Sequence, residues 1–267
     1  RYVGLLFKDV VIGESPLWLK MKLLVSGLRP INVVVDVTNY LMLLTGQPLH
    51  AFDAEQIVGG IQVRMAHKGE RLELLTGEKK TLTVDDLVIA DTKHALALAG
   101  VMGGKRSGVT ETTTQIFIEI SNFDGATVRR SRVRHGLSTD ASYRFERNID
   151  PNLPIDVARE AVELIRELTG GKLIGARDEY PEKRKEWKIE LSLARIEEVL
   201  GLKVPIFEAV QYLALDGLTV RKVSDRDALL VTIPTRRPDL RDEWDLVEEI
   251  GRMRGYDKVT PVAPTVT

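Results

Sequence analysis

Between Ile61 and Ile120 the chain alternates apolar and polar side chains in a series of short runs broken by glycine or polar turns. IQVRMA (Ile61 to Ala66), RLELLTGEKKTLTV (Arg71 to Val84), LVIA (Leu87 to Ala90), ALALAG (Ala95 to Gly100) and QIFIEI (Gln115 to Ile120) all carry this period of two. That period sends successive side chains to opposite faces of a sheet, so these runs predict half-buried antiparallel strands. A turn is expected at Thr76 and Gly77, and a sharper one at Gly103 and Gly104 in VMGG, where glycine allows positive φ or a close backbone approach. In the last run Ile116, Ile118 and Ile120 share one face, while Gln115, Phe117 and Glu119 share the other. Glu119 therefore faces either solvent or a lined pocket.

Helical patterns flank these strands. The apolar run Val33 to Val35 ends at Asp36, which is expected to cap a helix through Thr38, Asn39 and Tyr40 that stops at Gly46. His50 follows in the next loop, so a hydroxyl, an amide and an imidazole (Thr38, Asn39, His50) come near one another. Upstream, Tyr2 to Phe7 reads as a strand, and Ser15 with Pro16 opens a helix whose Leu17, Met21 and Leu24 are expected to face the core. Downstream, a helix from Asp124 to His135 carries Arg129, Arg130, Arg132 and Arg134, which suit either a phosphate-contacting face or a solvated, intersubunit one. A short element runs from Ala141 to Arg147, and Pro154 opens the clearest amphipathic helix, Ile155 to Leu168, ended by Gly170 and Gly171.

At 267 residues the chain suffices for two domains, each with its own core. The expected division is 1–175, a charged linker over 176–187 that contains Pro181, and 188–267. The last part reads as helices at Ser192 to Leu200 and Phe207 to Leu213, two strands joined at SDRD within Thr219 to Ile233, and a helix from Asp242 to Arg254. The fold class is α+β. Asp245, Glu248 and Glu249 share a face of the last helix, with Asp239 close before it. Hard carboxylate oxygens suit Mg²⁺, whereas an ordinary acidic face would be neutralised by Arg236, Arg237, Arg241 or Lys258. The net charge of −1 gives no global signal for nucleic acid, so an RNA partner would need a local basic patch. Absence of cysteine excludes disulfides and thiolate metal sites and fits a reducing, cytoplasmic setting. No run is apolar enough to span a bilayer.

DVTNYLMLLTGQPLHAFD, ALALAGVMGG and RHGLSTDASYRFERNID resemble, in order and separation, the editing module of the bacterial-type phenylalanyl-tRNA synthetase β subunit. IPTRRPDLRDEWDLVEEIGRMRGYDKV resembles the small module that follows it. The first residue, Arg1, together with this resemblance, suggests a piece excised from a longer subunit. The resemblance implies post-transfer editing: hydrolysis of tyrosine wrongly attached to the phenylalanine tRNA. His50, Asn39 and Glu119 would carry the chemistry, with Thr38, Gly100, Gly103, Thr139 and Ala141 binding substrate. Glu119 is the expected partner of the tyrosine hydroxyl. It also implies a Mg²⁺ site at Asp239, Asp245, Glu248 and Glu249 shared with an α subunit, ATP used only by the complete α2β2 enzyme, and tRNA(Phe) as partner, with neither DNA nor membrane. The rival reading is a non-catalytic scaffold that only holds tRNA and the α subunit. Asn148 stands in RFERNID where the family usually has Gly, a position that Asn tolerates.

Overall fold

The computed structural model describes residues 1–224 and 226–258 and divides the chain into two units, Arg1–Lys183 and Arg184–Thr267. The first unit opens with strand β1 (Tyr2–Lys8), helices α1 (Leu17–Val25) and α2 (Val33–Thr45), and strand β2 (Leu49–Asp53). Short strands follow: β3 (Gln62–Met65), β4 (Arg71–Glu73), β5 (Lys79–Thr81), β6 (Leu87–Ala90), β7 (Ala95–Leu98) and β8 (Met102–Gly103). Strand β9 (Ile116–Ser121), helices α3 (Gly125–His135), α4 (Asp140–Phe145) and α5 (Pro154–Thr169), and strand β10 (Lys172–Glu179) complete it. This is an α+β fold.

Strand β9 lies inside an antiparallel sheet of order β10-β1-β9-β2. Its isoleucines face one way and join Val3, Leu5 and Phe7 of β1 and Ala51 of β2 in a core closed by α2 and α5. Its other face, with Phe117 and the neighbouring Phe52 of β2, packs on a second core supplied by the strands between Arg71 and Leu98 and by Val128 and Phe145 from α3 and α4. Two cores thus sit on opposite faces of one sheet. Strands β3, β6, β7 and β8 form a separate four-stranded sheet over the second core.

Helix α2 starts four residues earlier than its sequence suggests. Asn32 is the cap, its Oδ1 accepting from Val35 N at 3.0 Å. Asp36 lies in the first turn, where its buried carboxylate accepts from Ser15 Oγ at 2.6 Å and Ile31 N at 2.8 Å. Burial of Val33, Val34 and Val37 against the sheet overrides the strand preference of a valine run. Ser15, spent on Asp36, caps nothing, and α1 turns Leu19 and Leu23 inward. The expected core residues Leu17, Met21 and Leu24 are exposed, because α1 carries apolar side chains on more than one face. The β7–β8 turn also differs: the left-handed residue is Gly100, at φ +68°, whereas Gly103 and Gly104 serve close packing. Asn148 takes φ +60°. Strand β10 pairs with β1 through Tyr2 and Glu179, so the segment expected as a linker from residue 176 begins within a strand.

The second unit comprises β11 (Trp187–Ser192), α6 (Leu193–Leu200), α7 (Ile206–Leu215), β12 (Thr219–Lys222), β13 (Ala228–Ile233) and α8 (Glu243–Arg254). Strand β11 has no counterpart in the sequence-based expectation, and it flanks β13 in an antiparallel sheet of order β11-β13-β12. Leu191, Leu229, Val231 and Ile233 pack from this sheet onto Ile196, Leu213, Leu246 and Ile250 of the helices. Asp225, in the expected turn between β12 and β13, lies outside the described residues. Among the described residues no helix is long and apolar enough to cross a membrane.

One buried carboxylate anchors α3. Asp86, just before β6, accepts from Thr83 N at 2.9 Å, Ser131 Oγ at 2.8 Å and Arg134, and meets His135 Nε2 at 2.9 Å. Burial alone would raise its pKa, but the bonds from Thr83, His135 and Ser131 prevail and hold it near 2. A depressed carboxylate pKa stabilises the fold above the unfolded value of 3.8, and that stability is lost as pH falls toward 2. Asp86→Asn is expected to cost roughly 2 kcal/mol at pH 7, with the gap narrowing below about pH 4, measured by denaturant unfolding across pH. A gap that does not change with pH would refute this electrostatic account.

Candidate functional site

On the second face of the sheet, Glu119 is directly opposite His50 of β2 and Gly4 of β1. Directly opposed residues share a face, so the carboxyl and the imidazole are adjacent by register alone. His50 therefore sits in a strand, where the sequence suggested a loop. Both groups line a cavity of about 90 Å³ walled by residues of β6, β7, β8 and α4, including Gly100, Gly103 and Ala141. This is well below the ~300 Å³ at which drug-sized pockets begin and on the scale of one side chain.

The cavity is shaped by missing side chains. A Cβ on Gly103 would stand 2.4 Å from His50 Cε1, so only glycine leaves room for the ring. At Gly100 a Cβ would stand 2.9 Å from Val128 and 3.1 Å from Phe145, in addition to the left-handed backbone. Phe52 meets the imidazole edge-on, with ring centroids 4.5 Å apart.

Both polar groups are strongly perturbed. Glu119 is only 5% exposed, and burial raises its pKa from 4.5 to about 7, with Ser121 offsetting part of the rise. His50 is half-buried as a residue, but its Nε2 is sealed from solvent and has no hydrogen-bonding partner within the protein. Burial lowers its pKa to about 4, so the imidazole is neutral at pH 7. The site therefore pairs a carboxyl poised near neutrality with an uncharged imidazole, a combination typical of functional pockets.

The other expected residues divide. Gly100, Gly103, Ala141, His50 and Glu119 come together around the cavity, whereas Thr38, Asn39 and Thr139 are not among its lining residues. Thr38 is buried in α2 and gives its hydroxyl to Val35 O at 2.7 Å, and Asn39 is half-buried on the same helix. Thr139 caps α4 and donates to Val101 O at 2.8 Å, thereby holding the turn that the cavity uses. Of the four arginines on α3, Arg132 pairs with Glu146 and Arg134 with Asp86, while Arg129 and Arg130 are exposed.

The acidic residues of the second unit are largely engaged within the chain. Arg237 binds Asp239 at 2.6 Å, Glu249 at 2.8 Å and also Asp216, and Arg252 takes the second oxygen of Glu249. Asp245 accepts from the amides of Arg241 and Asp242 at the head of α8, and Glu248 is exposed. The described residues contain no group of three or more His, Cys, Asp or Glu side chains able to hold a metal. Arg237 and Arg252 offset the charge of Asp239 and Glu249, the amides at the head of α8 take Asp245, and Glu248 stands exposed, so the four carboxylates are not gathered around a common point for a Mg²⁺ ion.

Comparisons with known proteins bear on both units. Residues 1–170 match the family described as the B3/4 domain, and residues 189–256 match the tRNA synthetase B5 domain. The phenylalanine–tRNA ligase beta subunit of Salinibacter ruber is 44% identical over 261 residues, 97% of this chain and 31% of that protein. The beta subunit of Methylococcus capsulatus is 42% identical over 269 residues, 100% of this chain and 34% of that protein. The chain thus spans about a third of the length of these relatives. A solved N-terminal fragment of the Pyrococcus horikoshii phenylalanyl-tRNA synthetase beta subunit aligns over 96% of this chain and 71% of that one, at 16% identity and a TM-score of 0.44.

The buried carboxyl has a stability consequence. A pKa raised from 4.5 to about 7 means that burying Glu119 costs little below pH 4.5 and costs most above pH 7. Glu119→Gln is expected to stabilise the first unit at pH 8 by up to roughly 3 kcal/mol and to change little at pH 4.5, as followed by thermal unfolding. Equal effects at both pH values would contradict the burial of a titrating carboxyl.

Proposed function

This chain belongs to the B3/4 domain family, the family of the phenylalanine–tRNA ligase beta subunits it resembles, and we propose that its cavity hydrolyses tyrosine from mischarged phenylalanine tRNA. One observation carries the proposal: a desolvated carboxyl and a neutral imidazole, adjacent by strand register, line a cavity the size of a single side chain. Tyrosine exceeds phenylalanine by one hydroxyl. An apolar pocket discriminates weakly on that difference, whereas a site built to hydrogen-bond the hydroxyl rejects the analogue lacking it by roughly 10⁴-fold.

In this reading Glu119 receives the phenolic hydroxyl and so selects tyrosine. The unpaired Nε2 of His50 is an acceptor beside it and orients a water toward the ester carbonyl carbon. Addition of that water gives a tetrahedral oxyanion and frees one of the water's protons; the bond to the ribose oxygen then breaks, that oxygen takes up the proton the water gave, and free tyrosine leaves. With its pKa near 4 the imidazole is a weak base, so its contribution is positional. The glycines of the β7–β8 turn set the depth of the pocket. Acylation of tRNA, with its ATP and Mg²⁺, is assigned to the complete assembly with an α subunit, and the fragment's partners are that subunit and tRNA(Phe).

Deacylation of tyrosine-charged and phenylalanine-charged tRNA tests this directly. Glu119→Ala is expected to lose preference for tyrosine, and His50→Ala to slow tyrosine release by roughly a hundredfold. Equal release by wild type and Glu119→Ala would remove the role given to the carboxyl. Absence of release, not rescued by the α subunit and the rest of β, would favour a scaffold.

A further inference from the structure

The link from α2 to β2 consists of Gly46, Gln47 and Pro48, and its middle side chain is fully buried. Gln47 Nε2 donates to Ser121 O and to Pro48 O, both at 2.8 Å. A carboxamide has two N–H donors, so both are used, and Oε1 has no partner within the protein. Gln47 thus acts by donation alone. The ladder between β2 and β9 explains why a donor is needed there. Opposed residues of an antiparallel pair alternate between rungs that exchange two hydrogen bonds and rungs that exchange none. Arg1 and Asn122 exchange both of theirs, at 3.1 and 2.8 Å, so the even-numbered residues of β9 bond β1 and the odd-numbered ones turn to β2. Ala54 N donates to Gln115 O at 3.0 Å and keeps the same parity on that side. With His50 opposite Glu119 and Leu49 opposite Ile120, the bonded rungs toward the head of β2 are His50–Glu119 and, one step beyond Leu49, Pro48–Ser121. Proline has no N–H to give Ser121 O, and the Gln47 amide gives it instead.

We infer that Gln47 is a positioning residue for the His50–Glu119 pair: its side chain makes the rung that Pro48 cannot, and so holds down the end of β2 that carries His50 and one wall of the cavity. This rests on the hydrolytic reading above only for the reaction that the placement serves. Pro48, Leu49 and His50 all line the cavity, and Pro48 and His50 share a face because they are two apart. No bonded rung stands between the one Gln47 makes and that of His50 with Glu119, so opening at the head of β2 reaches the imidazole first. Register itself is set by the isoleucine face of β9, and Gln47 closes the strand end within that register. The proline is what makes a side-chain donor necessary: a residue with an N–H at that position would close the rung from its own backbone. Its fixed φ stiffens the wall of a cavity on the scale of one side chain, and the missing donor is supplied by its neighbour.

Amide hydrogen exchange in the whole chain reads this rung without reference to any reaction. In Gln47→Met, which keeps the length of the side chain and removes its donors, protection of the His50 and Glu119 amides is expected to fall by roughly tenfold. Ile118, which bonds β1, should keep its protection. Adding Pro48→Ala to Gln47→Met returns a backbone N–H to the rung and should recover most of the loss, judged against Pro48→Ala alone. Release of tyrosine from charged tRNA should follow the same order: Gln47→Met lowers kcat about tenfold with KM within about twofold of wild type, and the double variant regains part of the rate. A merely structural defect would lower protection at Ile118 and in α5 as well and would not be repaired at Pro48. Protection unchanged at His50 and Glu119 overturns the inference, as does a loss spread evenly over the unit, or a local loss that leaves kcat intact. A wild type that releases neither ester overturns the hydrolytic reading alone, because the exchange data still decide the role of Gln47.

Discussion

The register of β9 governs the first unit. The strand is paired on both sides, with β1 and β2, and its two faces meet two different cores. A slip of one residue would drive Glu119 into the isoleucine core and turn Ile118 and Ile120 toward the cavity. The apolar cost of that exchange, about 25 cal/mol per Å² for each displaced isoleucine, fixes where the carboxyl stands. The site's geometry therefore follows from packing on the far side of the sheet, and the pair His50–Glu119 needs no loop to position it.

The second unit shows the opposite use of charge. Arg237 sits among Asp216, Asp239 and Glu249; it holds Asp239 below the usual carboxylate range, and with Arg252 it does the same for Glu249 against the opposing effect of burial. Such pairs are partly exposed, so each contributes modestly, but together they fold the segment before α8 back toward that helix. Among the described residues Glu119 has no cation beside it, whereas these carboxylates have Arg237 or Arg252, and Glu119 is the one perturbed toward neutrality. This contrast separates a group available for chemistry from groups committed to the fold.

Much of this was legible in the sequence. Period-two alternation located β3, β6, β7 and β9, glycine ends located the C-termini of α2, α3 and α5, and parity put Glu119 with Phe117. Illegible features have physical causes. Val33 to Val35 reads as a strand by local preference, and only burial against the sheet makes it helix. Leu17, Met21 and Leu24 form as good a stripe as Leu19 and Leu23, and nothing local says which is covered. Strand β11 is short and flanked by charge, so its identity comes from pairing with β13. Within the site, His50 and Glu119 are far apart in sequence; their opposition is a property of register.

A buried carboxyl is a liability that folding tolerates only where neighbouring packing is strong, and here both cores supply it. On the proposed reading, that same liability is what makes selection by one hydroxyl feasible. If Glu119 were solvated, a phenol would merely exchange one hydrogen bond for another offered by water, and the difference between the two amino acids would shrink to the weak preference of an apolar pocket. Desolvation raises the cost of leaving the carboxylate unpaired, so the ligand that pairs it gains what the other loses. The limit is protonation: once Glu119 takes up a proton, the cost disappears and the selectivity with it. A pocket of this design must therefore work above the pKa of its carboxyl and keep cations away from it. A cation would quench the charge that the ligand is meant to meet.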